Sequence, residues 1–330
     1  MKNVGVNGFG RIGRYFTRMT LDRSDVNVTV VNDLADVETL AHLFKYDSVH
    51  RRLPYDFKLE GNRMIFENGK EIVFISERDP ANIKWADLGV QVVMESTGIF
   101  RTDELASKHF NGGAERVVLS APAKGGNIKT VVLGVNDGLL TPDDKIVSNA
   151  SCTTNSAAPM VQVMKSICEI ESAFITTVHS YTSDQRLHDA PHRDLRRARA
   201  AAESIVPTTT GAAKALAKIF PELDGRIGGC GVRVPVPNGS MTDLTLVVKN
   251  PPTEQQIKDE MLKASQGSLK NILAYTNDPI VSVDILGNSH SCIFDALLTS
   301  VIGNMVKIVG WYDNEAGYSN RLVDLISKLE

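Results

Sequence analysis

The sequence predicts two domains of different class. An α/β domain with a mostly parallel sheet occupies residues 1–150, and an α+β domain with a mainly antiparallel sheet occupies residues 151–314. Three observations carry this. Short β-branched runs such as Val26-Asn27-Val28-Thr29-Val30-Val31 alternate with helical periodicity through the first 150 residues. From Ser151 onward the strands lengthen and alternate, as over residues 241–249. A chain of 330 residues also exceeds the usual size of one domain. A terminal helix over 315–330 is expected to join the first domain.

In the first domain, the strand Val4-Gly5-Val6-Asn7 precedes Ile12, Phe16 and Met19 at helical spacing. The run 26–31 ends at Asn32-Asp33, and Asp36 is placed to cap a helix carrying Leu40, Leu43 and Phe44. Strands at 57–59, 64–66 and 72–75 are separated by Gly61-Asn62 and Asn68-Gly69, which are hairpin turn signals. Buried-type strands follow at 90–94, 116–119, 130–133 and 146–148. In the second domain, strands are expected at 173–178, 228–236, 241–249, 293–300 and 305–311. A helix over 253–265 opens with Thr253 and Gln256 at capping-box spacing. Residues 182–205 are charged and poorly periodic, and loops of that length inside compact domains are usually functional.

Composition narrows the function classes. The hydrophobic share of 42% and charged share of 23% are those of an ordinary globular protein. A net charge of −3 leaves no basic footprint for nucleic acid or anionic lipid. The cysteines at 152, 168, 230 and 292 form no CxxC pair and no metal-ligand spacing, so no metal is expected and a reducing compartment is. The N-terminus begins a strand at once, with no signal-peptide apolar region, and no apolar run approaches the ~18 residues that span a bilayer. A cytoplasmic protein is expected.

The run Ser151-Cys152-Thr153-Thr154-Asn155 places a thiol between the strand-like residues 145–149 and a helical pattern of Ala157, Val161, Met164 and Ile167. A thiol at a helix N-terminus faces open backbone N–H groups and the positive end of the macrodipole, which favour the nucleophilic thiolate. His179 ends the apolar strand Thr176-Thr177-Val178, from which an imidazole can support such a thiol. Thr208-Thr209-Thr210-Gly211 leads into a helix beginning Ala212-Ala213-Lys214, an anion site made of backbone N–H groups and hydroxyls. Arg233 stands among apolar strand residues and needs a partner, which a phosphate would supply. Arg193, Arg196 and Arg199 are read as a solvated or subunit-contact face.

Gly8-Phe9-Gly10-Arg11-Ile12-Gly13 fits GxGxxG directly after the first strand and at the start of the first helix. Asp33 ends the second strand about 20 residues on, placed to accept ribose hydroxyls and repel a 2′-phosphate. Together they predict a Rossmann-type NAD-binding domain, with NAD preferred over NADP.

The segments NGFGRIGR at 7–14, SERDP at 76–80, SCTTN at 151–155, TTVHSYTSDQ at 176–185, DLRRARAAAESIVPTTTGAAKAL at 194–216, RVPVPN at 233–238 and WYDNEAGYSNR at 311–321 resemble the phosphorylating glyceraldehyde-3-phosphate dehydrogenases over essentially the whole chain. The resemblance implies that Cys152 attacks the aldehyde of glyceraldehyde 3-phosphate, that His179 is the general base, and that inorganic phosphate releases 1,3-bisphosphoglycerate from a Cys152 thioester, a step of glycolysis and gluconeogenesis. It implies that Thr182 and Arg233 hold the substrate phosphate with Arg197 alongside. Ser151, Thr153, Thr210 and Gly211 would hold the attacking phosphate. Gly8, Gly10, Arg11, Ile12, Gly13, Asp33, Arg78, Ser120 and Asn314 would form the NAD site. It further implies a homotetramer with the 182–205 loop at a subunit interface. Ser156 departs from the second cysteine that many relatives carry, which predicts weaker intramolecular disulfide formation. Ala190-Pro191 lies where the family modulates cofactor preference, and Pro191 fits NAD. Erythrose-4-phosphate dehydrogenase is the nearest other reading, and the intact TTTGAA run at 208–213 favours phosphate as acyl acceptor. A non-catalytic binding role is the reading of another class.

Overall fold

A computed structural model describes residues 1–329, which fall into two compact units. The first comprises Met1–Val131, Leu139–Ala150 and the stretch from Ser319. The second comprises Val132–Gly138 and Ser151–Tyr318.

In the first unit the strands are β1 (Lys2–Asn7), β2 (Val26–Asn32), β3 (Tyr46–Asp47), β4 (Arg51–Arg52), β5 (Phe57–Glu60), β6 (Arg63–Phe66), β7 (Glu71–Ile75), β8 (Val92–Glu95), β9 (Arg116–Leu119), β10 (Lys129–Thr130) and β11 (Ile146–Ser148). Nine of them form one sheet in the order β10-β11-β9-β8-β1-β2-β7-β6-β5. All its pairs are parallel except β5/β6 and β6/β7, the inserted hairpin. Helices α1 (Arg11–Thr20) and α2 (Val37–Lys45) follow β1 and β2, and α3 (Asp103–Ala106) is a single turn. Asp36 caps α2 by accepting the Thr39 N–H at 2.7 Å, as its position predicts. The core gathers Val30, Trp85, Val93, Val117 and Leu119. Phe9 packs between Phe44 and Phe74 at ring separations of 5.4 and 5.6 Å. The strand expected at 130–133 stops at Thr130, although Val131 and Val132 remain buried.

The second unit holds α4 (Cys152–Ile167), α5 (Ala212–Ile219) and α6 (Glu254–Gln266), with β12 (Glu169–Ser180), β13 (Val206–Thr208), β14 (Ile227–Val234), β15 (Ser240–Lys249), β16 (Leu273–Thr276), β17 (Cys292–Asp295), β18 (Ser300–Ile302) and β19 (Met305–Tyr312). Helix α7 spans Ala316–Lys328. The main sheet runs β13-β14-β12-β15-β19-β17-β16, and only β12/β14 and β16/β17 are parallel. Thr253 and Gln256 form the predicted capping box at 3.2 and 2.8 Å. Residues 182–205 carry no regular element.

The strand expected at 293–300 is broken. Buried Asp295 accepts the Leu297 N–H at 3.0 Å and the Trp311 indole N–H at 2.9 Å. That carboxylate starts a 3₁₀ turn over Ala296–Leu298, and β18 then pairs with the other end of β19. A side chain competing for backbone donors ends a strand that hydrophobic pattern alone would continue.

Candidate active site

The site in the second unit starts with a tight entry into α4. Ala150 adopts φ 56°, a left-handed conformation that costs a non-glycine residue about 1–2 kcal/mol. Ser151 follows as N-cap, its hydroxyl accepting the Thr154 N–H at 3.1 Å, and its carbonyl takes the Asn155 amide at 3.0 Å. Cys152 is therefore the first helical residue, where N–H groups lack intrahelical acceptors.

His179 reaches Cys152 from β12, with Nε2 3.5 Å from Sγ. Arg233 comes from β14. The two strands pair in parallel with His179 opposite Arg233, so register brings imidazole and guanidinium together. Arg233 Nη1 lies 2.8 Å from His179 Nδ1 and 2.9 Å from the Ser180 carbonyl oxygen. Burial, reinforced by the Arg233 charge, pushes His179 down to about 3, so its imidazole is neutral. Burial also pushes the Cys152 thiol up, against the Arg233 charge and hydrogen bonds from Thr153. The helix terminus is present as the sequence predicts, and the Cys152 side chain keeps partial exposure there.

Further groups surround this pair. Gly211 is the N-cap of helix α5 and offers no capping side chain, and Thr210 Oγ1 accepts the Ala212 N–H at 3.2 Å. Arg197 Nε donates to Thr208 Oγ1 at 2.8 Å, and its Nη1 pairs with Asp184. Gln185 accepts the Thr182 N–H at 3.3 Å. Ser180 and Ser240 both donate to Asn314 Oδ1, each at 2.9 Å. The Ser240 oxygen accepts the Ser180 N–H at 3.2 Å, so its one proton goes to Asn314. Two donors on the carbonyl fix the orientation of the Asn314 amide. Buried Tyr312 joins Thr153 and Thr177 through its phenol, 2.9 Å from each hydroxyl, and so ties the first turn of α4 to β12.

The first unit has the features of a dinucleotide loop. Gly8 has φ 97°, and a Cβ on Gly13 would stand 2.2 Å from the Gly8 oxygen. Space beside Gly10 is open, and α1 starts there with no side-chain cap, leaving its N–H groups for an anion. Asp33 is oriented by the Phe9 and Ala35 N–H groups at 2.7 and 3.1 Å. These residues fit a dinucleotide: open backbone donors for the pyrophosphate and a held carboxylate for ribose. The Arg11 guanidinium instead pairs with Asp47 at 2.5 Å, so Arg11 offers an anion its backbone. Arg78 is exposed after β7, and half-buried Ser120 donates its N–H to the Glu95 oxygen at 2.9 Å.

A family model described as glyceraldehyde 3-phosphate dehydrogenase, NAD binding domain, matches residues 2–103, and one described as its C-terminal domain matches residues 151–314. A glyceraldehyde-3-phosphate dehydrogenase of Geobacillus stearothermophilus is 52% identical over 324 residues, covering 98% of this chain and 96% of that protein. The chain belongs to the glyceraldehyde-3-phosphate dehydrogenase family. One from Mycobacterium avium is 51% identical over 330 residues, covering 98% and 97%.

Within this family framework, the structure brings Cys152, His179 and Arg233 together and sets Arg197 beside Thr208 and Thr209. It gives Ser151, Thr153 and Thr210 hydroxyl partners inside the protein. Sequence reasoning assigned no role to Tyr312, Ser180, Ser240 or Asp184. It also missed a buried chain beneath the dinucleotide loop. Trp85 donates to His109 Nδ1 at 3.1 Å, so His109 carries its proton on Nε2 and donates it to Glu95 at 3.1 Å. Glu95 also accepts from Asn7 at 2.6 Å, and Asn7 from Asn32 at 2.7 Å. This chain clamps the C-terminal ends of β8, β1 and β2, the edge where open α/β sheets bind ligands. Polar residues ending three apolar strands (Asn7, Asn32, Glu95) were the available signal.

Proposed function

We propose that the protein is an NAD-dependent phosphorylating glyceraldehyde-3-phosphate dehydrogenase, with Cys152 as nucleophile and His179 as base. The contact of Cys152 Sγ with His179 Nε2, beside Arg233, carries this reading. The substrate phosphate is held by Arg233 and Thr182 with Arg197 alongside. The attacking phosphate is held by the backbone and hydroxyls of Ser151, Thr153, Thr210 and Gly211. NAD is held by Gly8, Gly10, Arg11, Ile12, Gly13, Asp33, Arg78, Ser120 and Asn314, and supplies a hydride acceptor when bound.

The chain's own residues perform the rest. His179 Nε2 takes the thiol proton as sulfur adds to the aldehyde carbon, and returns it to the new alkoxide, giving a thiohemiacetal. Nε2 then takes the hydroxyl proton as that adduct is oxidised to a thioester, which makes hydride departure favourable. Open N–H groups at the start of α4 face the charge that develops on the oxygen. Phosphate attacks the thioester carbon, the C–S bond breaks, and Cys152 leaves as thiolate. The relatives' names favour this substrate over erythrose 4-phosphate.

Initial rates of NADH formation from glyceraldehyde 3-phosphate and NAD, with and without inorganic phosphate, test the reading. Sustained turnover only with phosphate is expected. Equal turnover without it would mean that water releases the thioester, and would overturn the phosphorylating assignment.

We also place the protein in the cytoplasm as a homotetramer. Four free cysteines suit a reducing compartment, and no helix among the described residues is long and apolar enough to cross a membrane. Leu187, Leu195 and Ile205 expose 75%, 82% and 69% of their surface within the 182–205 loop, an apolar set suited to a subunit contact. Sedimentation as four chains of 36.0 kDa is expected, and a monomer at assay concentration would refute it.

A further inference from the structure

In the first unit a row of buried side chains forms a relay in which every hydrogen bond runs toward one carboxylate. Trp85, His109, Glu95, Asn7 and Asn32 are each no more than 5% exposed. Asn7 stands opposite Asn32 in one strand pair and opposite Glu95 in the other, so sheet register lines up these three. At one end the Trp85 indole, which can only donate, keeps the His109 proton on Nε2, and that proton goes to Glu95 Oε2. At the other end the Glu77 backbone N–H donates to Asn32 Oδ1 at 2.8 Å. Asn32 Nδ2 is left for the Glu77 carbonyl oxygen at 2.9 Å and Asn7 Oδ1 at 2.7 Å. Asn7 Nδ2 then meets the same Glu95 oxygen at 2.6 Å. The other carboxylate oxygen takes the Thr97 backbone N–H at 2.8 Å and the Thr97 hydroxyl, whose oxygen accepts the Ile99 N–H at 3.1 Å.

The ends of the relay are fixed. An indole N–H and a backbone N–H cannot become acceptors, whereas an imidazole and a primary amide can face either way. Each turnable group is therefore set by the fixed donor behind it, and reversing any one brings two donors face to face. Where the donors meet, only a group that accepts on both atoms fits. Glutamate meets that demand, and glutamine of the same shape does not.

Members of the relay directly precede residues assigned to NAD. Asn7 precedes Gly8, Asn32 precedes Asp33, and Glu77 precedes Arg78. Ser96, next to Glu95, donates its hydroxyl to the Gly8 oxygen at 2.6 Å. We propose that Glu95 is a positioning residue for NAD: as the acceptor on which the relay converges, it sets the backbone of three cofactor-binding loops at once. The inference rests on reading the first unit as an NAD site. It makes NAD affinity depend on Glu95, Asn7 and Asn32, which act through Gly8, Asp33 and Arg78. A fully satisfied buried network holds one arrangement against others, which an apolar filling of the same space would not do.

The test compares the full chain with Glu95→Gln, Asn7→Asp and their combination, all close to the parent in shape. NAD affinity is read by fluorescence titration, and stability by urea melts without NAD. Glu95→Gln turns an amide N–H toward fixed donors, and is expected to weaken NAD binding about tenfold and lower the urea midpoint, as an unmade buried hydrogen bond does. Asn7→Asp sets a second carboxylate against Glu95 and is expected to cost at least as much. In the combination, donor and acceptor of that contact change places and Asn32 keeps its acceptor. The combined variant should therefore bind NAD at least about threefold tighter than either single one. It should stay short of the parent, because His109 still points its proton at an amide N–H.

Losses that multiply in the combined variant, or a Glu95→Gln protein that binds NAD as the parent does, would overturn the proposal. So would a lowered urea midpoint with unchanged NAD affinity, which would leave the relay a core device alone. If Glu95→Gln does not fold, Asn32→Asp decides: it sets an acceptor against the Asn7 and Glu77 oxygens, about tenfold weaker NAD binding is expected, and unchanged affinity overturns the proposal. A parent chain that binds no NAD would instead overturn the functional reading, and the urea midpoints would still test whether the donors converge on Glu95.

Discussion

Cys152→Ser and His179→Asn each lower NADH formation by about 10²–10⁴-fold or more, and the double variant is scarcely slower than the worse single one. The reason is their interdependence. In the proposed reaction sulfur attacks as its proton passes to His179 Nε2, which lies 3.5 Å away, and desolvation pushes the thiol toward its protonated form. Removing the imidazole strands the thiol, and removing the thiol leaves the imidazole nothing to activate. Two residues that act as one unit give non-additive losses, whereas residues serving separate steps multiply theirs. NAD affinity, measured by fluorescence titration, should stay within about twofold in all three variants, since neither side chain is among those assigned to NAD. A single variant retaining activity within tenfold of the parent, or a double variant showing the product of the two losses, would sink the shared-proton account.

Gly13→Ala weakens NAD binding by about ten- to a hundredfold and lowers the unfolding midpoint, while Gly10→Ala leaves folding unchanged. A Cβ at Gly13 would lie 2.2 Å from the Gly8 oxygen and 3.2 Å from Ser96 Oγ. The closer neighbour is backbone in the turn that shapes the loop, so relief requires the loop to move. Overpacking of this kind costs about 1–3 kcal/mol, and about 1.4 kcal/mol is tenfold in affinity. At Gly10 no atom lies within 4 Å of the added Cβ. Denaturant melts separate the two positions, and NAD titration reads the loop. Alkylation of Cys152 by iodoacetamide is the control and should proceed at the parent rate. A Gly13→Ala protein that binds NAD as the parent does would show that the loop tolerates displacement and that close packing there is dispensable.

Much of the fold was legible because its signals are local. GxGxxG, the Asp36 cap, the Thr253–Gln256 box and the two hairpin turns each span a few residues and act through neighbouring backbone. Cys152 was legible for the same reason, since strand, N-cap and helix follow one another. What escaped depends on partners far apart in sequence. Tyr312 acquires its role from Thr153 and Thr177, and Asn314 its orientation from Ser180 and Ser240. The upward push on the Cys152 thiol escaped as well, because helix position is written in the sequence while desolvation is produced by the whole unit. The break after Asp295 depends on Trp311, sixteen residues on, so apolar pattern alone ran the strand through it.

The parallel pairing of β12 with β14 makes the second unit a ruler. Eight successive residue pairs, from Ala173 with Ile227 to Ser180 with Val234, lock the two backbones together. The His179 imidazole and the Arg233 guanidinium hang from the same rung of that ladder. In the proposed reaction, the spacing between the base and the group that holds the substrate phosphate is therefore set by backbone pairing between two strands.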